Sequence, residues 1–423
     1  MSFLRTAPWG AACVWMAASA IASPFPVAPN ETSAPPAVRD AVRRVWTDSP
    51  DVQAADAERR AATARARAAA NPIYNPSLTV EGENADVDRR TVGASLTLDL
   101  GGKRRARMAE GEAAMRASEA GYTMRRRDVA TAWLKAWSAS LLAARQIDLG
   151  RRRVDLMRRF DELAAQRLAV GDIATTERDL AALALAEAEL QQASLAAQEA
   201  AARAALAAVD AHGDALLPPL PSSLPPAAER WVPLAVADRP DVVEALAEQA
   251  RADAGVAIAL SARRPDPTVG LTGGSVRIGA RSDRVVGVNV SIPLPVLNTG
   301  RAEVTAAHAG VDAAVARRQA IELRSGAVLE QRRATYAALR FAATTIRGTP
   351  ALALDERAGL LERLWQAGEI GSSDYLVQLK QSLDTALSGV TLENQAWEAW
   401  FDYLSAAGRL DDWIDGTAQE ASR

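Results

Sequence analysis

The sequence holds one cysteine, Cys13, in 423 residues. Cys13 lies in an apolar run from Ala7 to Ile21, which follows Arg5 and ends in Ala20-Ile21-Ala22, with Pro24 just beyond. A short basic start, an apolar stretch and small residues at its end form the pattern of a secretory signal, expected over residues 1–22. A buried N-terminal helix is the competing reading. Gly10, Ala11 and Ala12 precede Cys13 instead of the leucine-led pattern of a lipid anchor, so no lipid attachment is expected there. Cleavage would leave a mature chain without a thiol, which excludes disulfides and thiol catalysis.

Other absences narrow the function further. Lys103, Lys135 and Lys380 are the only lysines, and arginine supplies the rest of a basic charge that leaves a net of −3. So even a balance does not suit a partner bound through phosphates, and no nucleic acid is expected. His212 and His308 are the only histidines, and Met108, Met115, Met124 and Met157 form no cluster in sequence. No ligand set for a soft or borderline metal is legible, no cofactor is implied, and no nucleophile–base pattern points to an enzyme. His308, beside Ala306 and Ala307, reads as a solvated or packed helix residue. Beyond the signal, no apolar run approaches the roughly 20 residues of a membrane-spanning helix. Any membrane crossing would have to be made by strands.

What is present comes twice. Ser49-Pro50-Asp51-Val52 returns as Arg239-Pro240-Asp241-Val242, and Asn75-Pro76-Ser77-Leu78 as Asp266-Pro267-Thr268-Val269. Val92-Gly93 returns as Val286-Gly287, and Gly171-Asp172-Ile173 as Gly368-Glu369-Ile370. Matches in order at nearly constant spacing indicate a tandem duplication. A proline-rich N-terminal segment (23–36) precedes the first repeat (37–210). A proline-rich linker (211–238) separates it from the second (239–410), and a polar tail (411–423) follows. Each repeat reads as short helix, medium helix, two strands, very long helix, turn and return helix.

The strands alternate. Val92, Ala94, Leu96, Leu98 and Leu100 interleave with Thr91, Gly93, Ser95, Thr97 and Asp99, and Val286, Val288, Val290, Ile292 and Leu294 do the same in the second half. Their weaker partners hold Leu78 and Val80, and Val269 and Leu271. Polar connections at Asn84–Arg90 and Ser275–Arg284 are expected to close two hairpins. Such alternation fits a membrane β-barrel with lipid on one face and water on the other, or an ordinary half-buried sheet. Long helices offer these strands no other core, which favours the barrel. Four strands cannot close one, because open edges are not tolerated in lipid. Three copies would supply twelve.

From Lys103 to Val170 the chain is free of proline, which as one helix at about 1.5 Å per residue would reach about 100 Å. Val129, Trp133, Trp137 and Leu141, then Val154, Met157, Phe160, Ala164 and Leu168, recur at helical spacing. Gly300 to Ala367 matches that length, so the two long helices are expected side by side, with Pro350 kinking the second. Alanine-rich return helices at Thr175–Val209 and Ser372–Gly408 suit close packing on two sides, as in a helical tube. At the intervening turns Gly171 and Gly368 should end the first helix, and hydroxyl residues such as Thr175 and Ser372 should cap the next. Glu177 and Asp374 occupy equivalent positions in the first turn of the return helices. There a carboxylate either simply complements the helix dipole or, in a trimer, contributes to six carboxylates that favour cations at the tunnel end. A periplasmic coiled-coil adaptor is the competing class, and it leaves the strands unexplained.

The duplicated plan, the strand exit Asp99-Leu100-Gly101-Gly102-Lys103-Arg104, and Val286 to Pro295 followed by Asn298-Thr299-Gly300 resemble the TolC family of outer-membrane efflux proteins, and most closely its CzcC-like branch. The likeness covers about Ala37 to Leu410. It implies a mainly α fold with a small β part, in which a trimeric 12-stranded β-barrel is continued by an α-helical periplasmic tunnel. It also implies a passive exit duct in the outer membrane, with a periplasmic membrane-fusion adaptor and an inner-membrane pump of the resistance-nodulation-division class as partners. By resemblance, the tips Gly171, Asp172, Ile173, Gly368, Glu369 and Ile370 meet the adaptor, and Asp374 forms an aspartate ring at the gate, with Glu177 as its counterpart. Heavy-metal cations are the cargo that the branch implies. A drug-efflux duct or a type I secretion exit of the same fold is the alternative.

Overall fold

The computed structural model describes residues 33–84, 86–210, 217–348 and 354–416. Expectations that fall on the N-terminal signal, on Pro350 and on residues 417–423 lie outside the described residues. Two helices open the chain, α1 (Pro36–Asp48) and α2 (Pro50–Ala69), each with a proline in its first turn, where the missing N–H costs nothing. Strands β1 (Ser77–Glu83) and β2 (Val87–Thr97) follow, then helices α3 (Lys103–Ala169) and α4 (Thr175–Val209). After the linker come α5 (Pro240–Ala262), β3 (Thr268–Ile278), β4 (Arg281–Ser291), α6 (Arg301–Arg347), α7 (Leu354–Gln366), α8 (Ser372–Ala407) and α9 (Leu410–Asp415).

The four strands form one antiparallel sheet in chain order. β2 pairs with β3 along its whole length, from Val87 opposite Ile278 to Thr97 opposite Thr268. The two hairpins are thereby welded together, and β1 and β4 remain as open edges. Both connections are shorter than the composition implied. Arg89, Arg90, Ser275 and Arg284 belong to strands, because polar residues at the hairpin ends still complete the ladder. Gly279, at φ 60°, turns the chain between β3 and β4 almost immediately.

α3 is a single helix of 67 residues. In the second half α6 ends at Arg347 and α7 begins at Leu354. α3 and α6 do not lie side by side. Towards the strands α5 comes between them, and farther away α8 does. Charge explains the second arrangement. Acids of α8 face bases of both neighbours: Asp402 takes Lys135 of α3 and Arg332 of α6, and Glu393 takes Arg145 and Arg347. Arg153, buried on α3, reaches Asp384 at 2.6 Å. α5 is held likewise, by Glu110 of α3 on Arg251 and by Arg318 of α6 on Gln249.

Where the first repeat has α1, the second has only 3-10 turns at Ala228–Arg230 and Val236–Asp238, since linker prolines deny a helix its N–H groups. The segment expected to be a polar tail opens as α9, with Trp413 and Ile414 buried. The main core joins α1, α3, α6, α8, α9 and the linker around Trp46, Trp133, Trp137, Tyr336, Trp400 and Tyr403. Linker backbone satisfies some of its polar tips: Trp137 Nε1 donates to the Pro218 carbonyl at 2.8 Å, and the Tyr403 hydroxyl to that of Trp231 at 3.0 Å. A second core of Phe160, Trp365, Tyr375 and Leu379 lies near the interhelical turns.

Candidate functional site: an aliphatic sheet and a clasped helical tip

Two regions carry functional geometry, one at each end of the long helices. In the sheet, register places Leu78, Val80, Val92, Ala94, Leu96, Leu271, Val269, Val286, Val288 and Val290 on one face. That face is bare: Leu78 is 74% exposed, Val80 72% and Val286 84%. Apart from Val87, Val276, Ile278 and Val285 towards the hairpin ends, the opposite face is small or polar, with a hydroxyl contact between Ser77 and Ser95 at 2.6 Å and another between Thr97 and Thr268 at 2.8 Å. A sheet with its aliphatic side turned outward is inverted relative to a water-soluble protein and suits lipid. Among the described residues no helix is long and apolar enough to cross a membrane.

The junction between sheet and helix explains the Asp99 to Arg104 motif. Gly102, at φ 74°, turns the chain from β2 into α3, a conformation costly for residues with a Cβ. Asp99 then accepts the first free helix N–H groups, from Lys103 at 2.9 Å and Arg104 at 2.8 Å. Lys103 crosses to the other repeat, where its ammonium and the Tyr74 hydroxyl each lie 2.7 Å from Asp266, whose side chain is buried. The motif thus ties the start of α3 to the entry of β3.

At the other end, Gly171 and Gly368 adopt φ 76° and 75°, and each ends its helix. The Gly171 and Asp172 N–H groups return to Leu168 and Arg167, and those of Gly368 and Glu369 to Trp365 and Leu364, so both turns close alike. Asp172 and Glu369 point to solvent, while Ile173 and Ile370 fold back onto the second core. The expected hydroxyl caps are absent. Ala174 and Gly371 are the cap residues, and Thr175 and Ser372 are each one position inside.

The Ser372 hydroxyl serves another purpose. It donates to the Glu177 carboxylate at 2.6 Å while accepting from Trp365 Nε1 at 3.1 Å. Arg167 lies over the Trp365 ring, 4.7 Å from its centroid, and donates to the Trp365 and Gln366 carbonyls. Burial of Tyr375, stacked on Trp365, pushes its hydroxyl up to about 12. Farther along, Lys380 binds Glu187 at 2.6 Å. These contacts clasp one helical hairpin to the other. Glu177, expected to match Asp374, is consumed by the clasp, whereas Asp374 is exposed and makes no ion pair or hydrogen bond with a described residue. Sequence reasoning missed Arg167 and Trp365 and gave Ser372 the wrong task. Their only signal was Trp365, a large aromatic beside a turn whose counterpart in the first repeat is Leu168.

Residues 42–212 match the family described as Outer membrane efflux protein. A stretch of 249 residues is 29% identical to the cobalt-zinc-cadmium resistance protein CzcC of Cupriavidus metallidurans. The stretch covers 56% of this chain and 58% of CzcC, so it spans a little over half the length of that relative. Solved structures agree over more of the chain. A membrane protein from Pseudomonas aeruginosa superimposes with a TM-score of 0.73 at 18% identity, covering 88% of this chain and 94% of its own. The Campylobacter jejuni CmeC outer membrane channel gives 0.71 at 15%, covering 92% and 89%. The fold is therefore that of these outer-membrane channel structures.

Proposed function

We propose that three copies of this chain pool their sheets into one 12-stranded barrel and act as the passive exit duct of a tripartite efflux system. The observation that carries this is the sheet: four strands, an exposed aliphatic face and two open edges, β1 and β4. Unpaired strand edges are untenable in lipid, and pairing β4 of one copy with β1 of the next removes all of them. The exposed Leu183 and Leu190 of α4, and Leu323 and Phe341 of α6, offer the same neighbours apolar surface along the tunnel.

In this reading 37–210 and 239–410 are duplicated halves, and residues 1–22 are the export signal. The solvent-facing turns at Gly171-Asp172-Ile173 and Gly368-Glu369-Ile370 dock a periplasmic adaptor coupled to an inner-membrane pump of the resistance-nodulation-division class. Asp374, repeated three times, lines the tunnel mouth as a cation-favouring ring, with Glu177 behind it in the clasp. The likeness to CzcC supports heavy-metal cations as cargo. In this reading the duct is wide and leaves selection to the pump. The test is extraction followed by mass measurement. The mature chain should require detergent and sediment as a trimer, and its deletion should sensitise cells to cobalt, zinc or cadmium. A detergent-free monomer would overturn the channel, and unchanged metal tolerance the cargo.

A further inference from the structure

The aliphatic face of the sheet ends abruptly at a group of arginines. Following the register outward from Val92, Leu271 and Val286, the same face carries Arg90, Ser275 and Arg284 side by side, and then Asp88, Arg277 and Ser282. Arg90 and Arg284 flank Ser275 from the two neighbouring strands, and Arg277 is the next outward residue on the middle one. All three arginines are exposed, and none of their guanidinium groups makes a hydrogen bond or ion pair with a described residue. Asp88 is the single acid among them, which leaves a net charge of +2 on the patch (three arginines against one aspartate). The opposite face at this height is arranged differently, for Arg281 there is paired with Asp283 at 3.2 Å.

Location gives the patch its meaning. The helices leave the sheet at its other end, so the hairpin ends carrying these arginines point away from the periplasm. Membrane barrels ordinarily mark the lipid–water boundary with aromatic girdles, yet the strands and their hairpin connections contain no Phe, Tyr or Trp. Arginine instead occupies the boundary, facing the lipid side. A guanidinium there meets headgroups, and its planar donor fork matches phosphate oxygens bidentately.

We propose that Arg90, Arg277 and Arg284 form a phosphate-binding belt for the phosphorylated glycolipid of the outer leaflet, which anchors the barrel at the height where aromatic residues would otherwise hold it. The proposal rests on the membrane-barrel reading above. The trimer would carry the patch three times, each one bridging neighbouring strands through one headgroup. Ser275, between Arg90 and Arg284, supplies a hydroxyl donor to the same phosphate.

The test uses detergent-purified, delipidated full-length protein and bisphosphoryl lipid A as the probe, with native mass spectrometry as the readout. The wild type should retain the lipid, and the Arg90→Gln/Arg277→Gln/Arg284→Gln variant should retain at least about tenfold less. Arg89→Gln/Arg281→Gln, on the opposite face, should bind as the wild type does. The triple Arg→Lys variant keeps the charge but loses the fork and should fall between. Dephosphorylated lipid A should not bind, and inorganic phosphate at matched concentration should not displace the lipid. Equal retention by the triple Gln variant, equal binding of the dephosphorylated lipid, or displacement by inorganic phosphate would each overturn the belt while leaving the trimer intact. A chain that needs no detergent would overturn the barrel and the belt together.

Discussion

Ser372 shows how much one hydroxyl can do at the tip. It connects the indole of Trp365 to the carboxylate of Glu177, so both halves of the molecule meet through it. A hydrogen bond to a charged acceptor is worth about 1.5–3 kcal/mol. Ser372→Ala should therefore lower stability by about 1–3 kcal/mol in a denaturant titration of the purified protein. The same variant should raise single-channel open probability in planar bilayers, because the hairpins lose a tie. Unchanged gating with reduced stability would reduce Ser372 to a packing residue. Lys380, bonded to Glu187, holds that carboxyl below its ordinary range. A depressed carboxylate stabilises the fold above its unfolded value of about 4.5 and loses that effect as pH falls through the lower folded value. Protection factors at the tip, corrected for the intrinsic exchange rate, should thus fall on acidification below about pH 4.5 in the wild type. Lys380→Met should flatten this response.

The sheet is the element whose requirements differ most from those of the rest of the chain. Its outward face was legible as alternation at Val92 to Leu100 and Val286 to Leu294, because a period of two leaves no ambiguity about which side chains share a face. The length of the connections was not legible. Arg89, Arg90 and Arg284 look like loop residues by composition and are strand residues by hydrogen bonding. Leu271, mid-sheet on the aliphatic face and 61% exposed, provides the test at this scale. Leu271→Arg should cost about 2–4 kcal/mol at the membrane midplane and reduce heat-resistant trimers on semi-native gels. Thr272→Ser, on the polar face, should leave them unchanged.

At the scale of the whole molecule, charge decides the order of the helices. Equal lengths of α3 and the α6–α7 pair invited the expectation that they touch, yet length carries no information about neighbours. The acids of α8 that bind Lys135, Arg145 and Arg153 on one side and Arg332 and Arg347 on the other interpose it between them. Asp374 is exposed, and Glu177 is held by Ser372, so the two equivalent acids should not contribute equally to conduction. Asp374→Ala should reduce cation preference in reversal-potential measurements, and Glu177→Gln should alter gating more than selectivity. Equal selectivity losses in both variants would remove the distinction.

Residue order alone determined the repeated order of elements, the position of the strands, and the glycine turns at Gly171 and Gly368. These follow from local constraints: a repeat spacing, a period of two, and a backbone that only glycine adopts cheaply. Tertiary structure alone decided that Glu177 is spent in a clasp, that Asp99 and Asp266 share the work of seating α3, and that α5 and α8 separate the long helices. Those outcomes depend on side chains from opposite repeats meeting in space, as Ser372 and Glu177 do from 195 positions apart. Local pattern carries no record of which distant partner a polar group will find.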